Sequence, residues 1–303
     1  MADFVIVTAL EEEREAMLRH LPGHRRLPPT AEDVRVYYQA ELPVILSGGE
    51  TGAYQLVVVQ LLGMGRVQAA TATADVIRRW QPRYVLMAGI AGGVARKDAR
   101  LGDVLISEQI VDYELQKLTA EGAQIRWQTY RADPRLLAAS QNLGAGDWQP
   151  QVQAARPGDG RPKRLIGPVA SGDKVIAFGA ALEQYRQHWA ALIGVEMEGA
   201  GVAAAAFQAA EPPGFFMVRG VSDLADEDKG STGVEPWRPY ACDVAAAYTA
   251  ALLKSGPVPF ADKAGPQRQA GGTRTVSASH GGVAVGGDVH GDIITGGQKP
   301  QDS

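Results

Sequence analysis

The largely apolar run Phe215–Val221 constrains the fold more than any other segment of the chain. It follows the breaker Glu211-Pro212-Pro213-Gly214 and stops at Ser222-Asp223. A run of that length without apolar/polar alternation reads as a strand buried on both faces, the kind found in a parallel sheet with helices on either side. Ligands of open α/β sheets bind beyond the carboxyl ends of the strands, so Ser222 and Asp223 stand where chemistry is expected. Ile193-Gly194-Val195 reads as a second short strand, and Glu196, Met197 and Glu198 follow it into an Ala-rich helix. A carboxylate in a first helical turn is favoured by the helix dipole, and Ser-Asp is a common helix cap, so each feature alone has a structural explanation. Acids just past two buried strands can together grip a sugar and protonate a leaving base.

Other segments place these strands in a layered architecture. Phe4–Val7 is a first strand, Thr8 a plausible cap, and Glu11, Glu12 and Glu13 open a helix running to Leu21, with only one of the three acids required to face a site. Further strands are expected at Val34–Gln39, Gln55–Leu62, Tyr84–Ala88, Asp103–Val111 and Arg164–Val169, and helices at Val67–Trp80, Pro134–Leu143, Ala181–Trp189, Met197–Ala210 and Tyr240–Lys254. Strands alternating with helices imply an α/β fold. Asp147–Arg161, rich in Pro, Gly and Gln, reads as a surface loop inside the domain.

Composition narrows the function classes. A chain of 303 residues with 45% hydrophobic content is long enough for one large core, of about 250 residues. The net charge of −4 argues against a nucleic-acid-binding surface. Cys242, the sole cysteine, excludes a disulfide framework and a multi-cysteine metal site, and its Ala-rich surroundings imply inert packing. His20, His24 and His188 show no metal-ligand spacing, so neither metal nor cofactor is expected. Phe4–Leu10 is too short to span a membrane and lacks a basic leader, which makes a cytoplasmic enzyme the expectation.

Six motifs then occur in order: Ala9-Leu10-Glu11-Glu12-Glu13, Ala88-Gly89-Ile90-Ala91-Gly92-Gly93, Leu101-Gly102-Asp103-Val104, Ser171-Gly172-Asp173, Val195-Glu196-Met197-Glu198 and Arg219-Gly220-Val221-Ser222-Asp223. Their order and spacing resemble the methylthioadenosine/S-adenosylhomocysteine nucleosidases of the nucleoside phosphorylase superfamily, over residues 3 to 254. The resemblance implies a three-layer phosphorylase/hydrolase-like fold with a central twisted mixed sheet, and a homodimer or larger homo-oligomer. It makes Asp223 the general acid for N7 of the purine, a role that requires a carboxyl kept neutral near neutral pH, and Ser222 the residue that orients it. Glu198 would hold the ribose hydroxyls with Met197 against the sugar, and Glu13 would position or activate water. Glu196, Ile90, Gly92, Val175 and Ile176 complete the implied substrate-binding set. The reaction would be cleavage of a purine N-glycosidic bond through an oxocarbenium-like transition state. Phosphorylases bind phosphate with cations and backbone donors, and three glutamates after the first strand would repel it, so hydrolysis is preferred over phosphorolysis. A non-catalytic purine-binding module is disfavoured because Glu13, Glu198 and Asp223 are all present.

Departures from the family pattern bear on substrate. The Gly-Ser-Ala-Gly-Gly loop reads Gly89-Ile90-Ala91-Gly92-Gly93, which removes a hydroxyl, and no aromatic at Val175 is available to stack on the base. Lys174 and Arg66 are cations that read as surface residues singly but would suit a phosphorylated substrate if they faced the pocket. Lys229, Trp237 and Tyr240 are candidates to close it.

Composition changes after Ser255. Residues 1–256 form the expected catalytic domain, 257–282 a flexible linker, and 283–303 a Gly-rich, β-prone tail. Val283–Gly297 resembles the Gly-Asp tails of bacterial conflict-system proteins and has the β-branched content of a strand that pairs with copies of itself or with a protein partner. Two settings follow: a defence effector that depletes purine nucleosides or nucleotides, or a housekeeping nucleosidase.

Overall fold

Strand β1 (Phe4–Thr8) is buried throughout, and its side chains alternate between two separate cores, Phe4 and Ile6 in one and Val5 and Val7 in the other. The same division runs along β4 (Thr51–Gln60), β5 (Tyr84–Gly93) and β12 (Gly214–Asp223). A sheet apolar on both faces needs a helical layer on each. Helices α1 (Glu11–Arg19), α3 (Pro134–Asn142) and α6 (Trp237–Lys254) supply Met17, Leu136 and Val244 to the first core. Helices α2 (Arg66–Trp80) and α5 (Gly199–Phe207) supply Val76 and Val202 to the second.

This computed structural model describes residues 1–261 apart from 32, 96–98, 121, 177–184, 186–187 and 227–229, and the side chains of 122 and 123. The chain divides into two compact units, Met1–Phe260 and Ala261–Ser303. The linker from residue 262 onward, the tail Val283–Gly297, most of the expected helix Ala181–Trp189, and Lys229 lie outside the described residues.

Among the described residues, the central sheet has ten strands and is mixed. Strands β4, β1, β5 and β12 run parallel, while β6 (Val104–Asp112), β10 (Arg164–Ser171) and β11 (Gly194–Glu196) are parallel to one another, with β6 antiparallel to β12. Strand β11 pairs with β10 on one side and antiparallel with β5 on the other, through Gly194 to Gly93 and Val195 to Gly92. Five strands therefore close on themselves, and the closure gathers the ends of β5, β11 and β12 at one place.

Local differences from the sequence expectation have identifiable causes. Strand β5 continues to Gly93, beyond Ala88, because its glycines admit neighbours: a Cβ at Gly89 would collide with the head groups of Glu13 and Arg219, and one at Gly92 with Ala225 and Asp223. Strand β3 (Tyr37–Ile45) starts later than Val34 and runs through Pro43, which is exposed and lies beyond the two-residue pairing with β2 (Arg25–Arg26), where no ladder hydrogen bond is needed on its outer side. Thr8 is no cap: it belongs to β1, and its Oγ1 donates to the Val59 carbonyl at 3.4 Å. Helix α5 begins at Gly199 rather than Met197. The stretch after Asp147 is not all loop, since α4 (Ala145–Trp148) and a short 3-10 turn bury Trp148. The hairpin of β7 (Gln116–Thr119) and β8 (Gly122–Ile125), and β9 (Gln128–Arg131), were not expected; β7 and β9 contain no buried residue to reveal them. Among the described residues, no helix is long and apolar enough to cross a membrane.

Candidate active site

Arg219 sits fully buried in β12, a strand otherwise made of apolar, Gly, Ser and Asp residues. A guanidinium there is tolerable only with counter-charges and hydrogen-bond acceptors around it. Its Nη2 donates to Glu196 Oε2 and lies 3.4 Å from Glu198 Oε2, while Nη1 lies 3.7 Å from Glu13 Oε1. Its Nε and Nη1 have no hydrogen-bond partner among the described residues. Sequence reasoning gave Arg219 no role, although a lone arginine inside a strand-like apolar run is itself the signal for a buried acid cluster.

The three carboxylates reach Arg219 from separate elements. Glu13, in the first turn of α1, accepts at Oε2 from the N–H groups of Ala9 (2.7 Å) and Leu10 (3.0 Å), and at Oε1 from Ile90 N–H (2.8 Å). Two of the orphan donors before α1 are thus satisfied by the residue that also faces Arg219. Glu196 accepts from Glu198 N–H (3.1 Å) and Gly199 N–H (2.8 Å), fixing the start of α5. Glu198, at the N-cap of α5, accepts from Gly65 N–H at 3.2 Å. Burial pushes the Glu13 carboxyl above its usual range, against the opposing effect of Arg219 and the three backbone donors. Burial likewise pushes Glu198 up to about 7, with Arg219 opposing and Glu196 adding to the rise. For Arg219, burial works against the charge, but Glu196, Glu13 and Glu198 together hold it above its ordinary value. Glu13 and Glu198 are thus two carboxyls that burial shifts toward the proton-bound form beside one cation.

The acid pair follows on the same strand. Val221 pairs with Ala91 and Asp223 with Gly92, leaving Ser222 as an extra residue, so β12 bulges at its end. Bulges re-aim side chains. Here Ser222 Oγ donates to Asp223 Oδ2 at 3.0 Å and stands 3.4 Å from the Ala91 carbonyl, and Ala225 N–H donates to Asp223 Oδ1 at 3.0 Å. A cavity of about 620 Å³ opens onto both residues, bounded by Glu12, Val234, Glu235 and Arg238. A larger cavity of about 1110 Å³, beside Arg83 and Pro213, lies at the start of β12 and holds none of these acids.

The remaining expected residues divide. Ile90 is half-buried and serves Glu13 through its N–H, Met197 is half-buried between the two glutamates, and Gly92 admits Asp223. Glu196 is committed to Arg219 and to the α5 terminus. Ile176 is buried in a third, small core with Tyr113 and Tyr185, whereas Val175 is 59% exposed. Lys174 Nζ is bound by both oxygens of Glu114, at 2.7 and 2.6 Å, and Arg66 by buried Asp112 at 2.7 Å, so neither brings uncompensated positive charge to a phosphate. Trp237 and Tyr240 lie under the Arg156 guanidinium, 4.9 and 5.2 Å from it, instead of lining the cavity with Asp223. Glu12 is not simply solvated, because it pairs with Arg238 of α6. Cys242 is buried, and burial pushes its thiol pKa up. No group of three His, Cys, Asp or Glu among the described residues could hold a metal ion.

The fold and the site together define a layered α/β protein with a buried, arginine-centred acid cluster at the ends of its strands and, beside it, a cavity onto which Ser222 and Asp223 open. The chain belongs to the phosphorylase superfamily, whose family model matches residues 3–254. It is similar to the 5'-methylthioadenosine/S-adenosylhomocysteine nucleosidase of Colwellia psychrerythraea, with 30% identity over 184 residues, covering 61% of this chain and 73% of that protein. The nucleosidase of Geobacillus thermodenitrificans is 33% identical over 194 residues, with 61% and 75% covered. Among solved structures, the nucleosidase from Neisseria meningitidis in complex with methylthio-immucillin-A superposes with a TM-score of 0.65 at 24% identity, covering 84% of this chain and 100% of that one. Futalosine hydrolase of Helicobacter pylori gives a TM-score of 0.64 at 20% identity, covering 82% and 96%.

Proposed function

We propose that this protein hydrolyses the N-glycosidic bond of purine nucleosides, releasing the base and a free sugar. The observation that carries the reading is the convergence of Glu13 and Glu198 on Arg219, with Ser222-Asp223 closing the same strand. Asp223 gives a proton to N7 of the purine as the C1′–N9 bond breaks and its electron pair passes to the base. The positive charge that develops on the ribose meets a pocket rich in carboxylates. Glu198 accepts hydrogen bonds from the ribose hydroxyls. Water held by Glu13, whose Oε1 lies 3.7 Å from Arg219 Nη1, attacks C1′ and loses its proton to Glu13, whose raised pKa suits a general base. Solvent then returns Glu13 and Asp223 to their starting states.

The surplus of acids disfavours phosphate as nucleophile, and the pairing of Lys174 and Arg66 favours nucleosides over nucleotides. The relatives' names make methylthioadenosine and S-adenosylhomocysteine the first compounds to test. Purified protein incubated with these two, adenosine, AMP and ATP should release adenine with a free hemiacetal sugar, at a rate indifferent to phosphate. A sugar 1-phosphate, or turnover that requires phosphate, overturns the reading. Asp223→Asn should keep the fold and lower kcat by roughly two to four orders of magnitude.

The setting of this activity in a bacterial defence system rests on the sequence of Val283–Gly297, with its β-branched residues between Gly-Asp pairs. A chain ending at Ala261 should hydrolyse nucleosides at the full rate but lose higher assembly or partner recruitment. Light scattering on both chains tests this together with the homo-oligomer. Identical assembly and identical cellular effect would return the lead to a housekeeping role.

A further inference from the structure

The cavity of about 620 Å³ beside Asp223 falls in the size range of small-molecule sites, about 300–1,000 Å³. Ser222 and Asp223, both buried, bound it from β12. Glu12, from the first turn of α1, bounds it together with Val234, Glu235, Arg238 and Pro239, which lie at and just before the start of α6. Breaking a glycosidic bond uses the residues of β12 and gives this second group no task. The chemistry of the substrate says what reaches it. In a purine nucleoside in its ordinary anti conformation, N7 and the 5′ carbon face the same side of the molecule, and the 2′ and 3′ hydroxyls face the other. An acid that protonates N7 therefore shares its cavity with whatever the 5′ carbon carries. Glu198, on the hydroxyl side, sits in the Arg219 cluster instead.

Val234 and Pro239 offer apolar surface to a short methylene or thioether chain, and the charged residues decide what may end that chain. Arg238 pairs with Glu12 through Nε, on one edge of its fork, so the edge carrying Nη1 and Nη2 is left for a bidentate acceptor. Glu235 is an exposed carboxylate three residues before it. One cation with two carboxylates beside it matches a group with a negative and a positive end. A phosphate dianion would meet Glu12 and Glu235 as like charges. We infer that Arg238 and Glu235 read the end of the 5′ substituent, Arg238 taking a carboxylate on its Nη edge and Glu235 an ammonium, so that the favoured substrate is a nucleoside whose 5′ carbon carries an α-amino acid group. The inference rests on the hydrolase reading given above and names the substrate class within it. Glu12 limits the strength of the contact, because it competes with the substrate carboxylate for the same guanidinium.

Adenine release by the full-length chain from four 5′-thioadenosines tests this, the sulfur carrying methyl, 3-aminopropyl, 3-carboxypropyl or 3-amino-3-carboxypropyl. The last should have the highest kcat/KM. Arg238→Gln should lower kcat/KM for the two carboxylate-bearing compounds roughly tenfold relative to the methyl compound, as expected for a charge-assisted hydrogen bond from a half-exposed side chain. Glu235→Gln should lower it, by a smaller factor, for the two compounds that carry an ammonium. Glu12→Gln should act with the opposite sign, raising the ratio of the 3-carboxypropyl to the methyl compound, because it releases Arg238.

A merely structural role for the Glu12–Arg238 pair would move all four compounds together in both variants, in step with the melting temperature. Ratios equal to those of the unaltered chain, or a common factor for all four compounds, overturn the inference, and so does AMP turned over faster than any of the four. The hydrolase reading fails separately, if none of the compounds, the methyl one included, releases adenine. Adenine release from the methyl compound with ratios indifferent to residues 235 and 238 leaves that reading standing and removes the specificity role alone.

Discussion

Arg219 and Lys174 both bring positive charge to the end of a strand, but they do so in opposite surroundings. Arg219 is buried among three carboxylates, two of which are held above their usual pKa by burial, and each of the three lies within 3.7 Å of its guanidinium. Lys174 is about half exposed, with its ammonium held by the single carboxylate of Glu114 over the Tyr113 ring. Arg66 and Asp112 repeat that one-to-one pairing nearby. A balanced one-to-one pair, solvated as at Lys174 or half-buried as at Arg66, has its charge already matched, whereas a dry cluster with surplus acid keeps both proton acceptors and donors in reserve. The useful cation is the one with too many partners.

The largest effect should come from removing that cation. Arg219→Met leaves Glu13, Glu196 and Glu198 buried without counter-charge and should cost about 3–5 kcal/mol of stability at pH 8, along with all hydrolysis. Part of the stability should return at pH 5, where the acids take up protons. Urea unfolding at the two pH values checks this, and a variant as stable as the parent at pH 8 would break the contrast between the regions.

A smaller effect concerns Glu198. Its folded pKa, about 7, lies above the ordinary glutamate value of 4.5, so the folded state binds the extra proton between those limits. Its contribution to stability is therefore complete below the unfolded pKa and is lost as pH rises through the folded one. The expected decline is on the order of 2 kcal/mol between pH 5 and pH 8. Glu198→Gln should flatten that slope, and an unchanged slope would assign the pH dependence to another group.

The smallest effect belongs to the second region. Lys174→Met should change stability by less than about 1 kcal/mol and leave the ratio of adenosine to AMP hydrolysis as it was. A selective loss of AMP hydrolysis would show that Lys174 leaves Glu114 to meet phosphate, and would join the two regions into one site.

The layered α/β architecture was legible in the sequence alone, because apolar runs of strand length such as Phe4–Val7 and Phe215–Val221 must be buried on both faces, and the position of Ser222-Asp223 at the C-terminal end of its strand was legible with it, as was that of Glu13 and Glu198 in the segments that follow β1 and β11. These are local properties of period and position, and they survive without knowledge of neighbours. The sequence could not show that β5 continues through Gly93, since the glycines there are explained only by the side chains and the strand that approach them. Nor could it separate Arg219 from Lys174 and Arg66, because a cation's role depends on which carboxylates surround it and how dry the place is. Glu13, Glu196 and Glu198 come from three elements up to 185 positions apart. Only the closure of β11 onto β5 and β10 brings them round one guanidinium, and that closure is a tertiary event set by packing across the whole sheet.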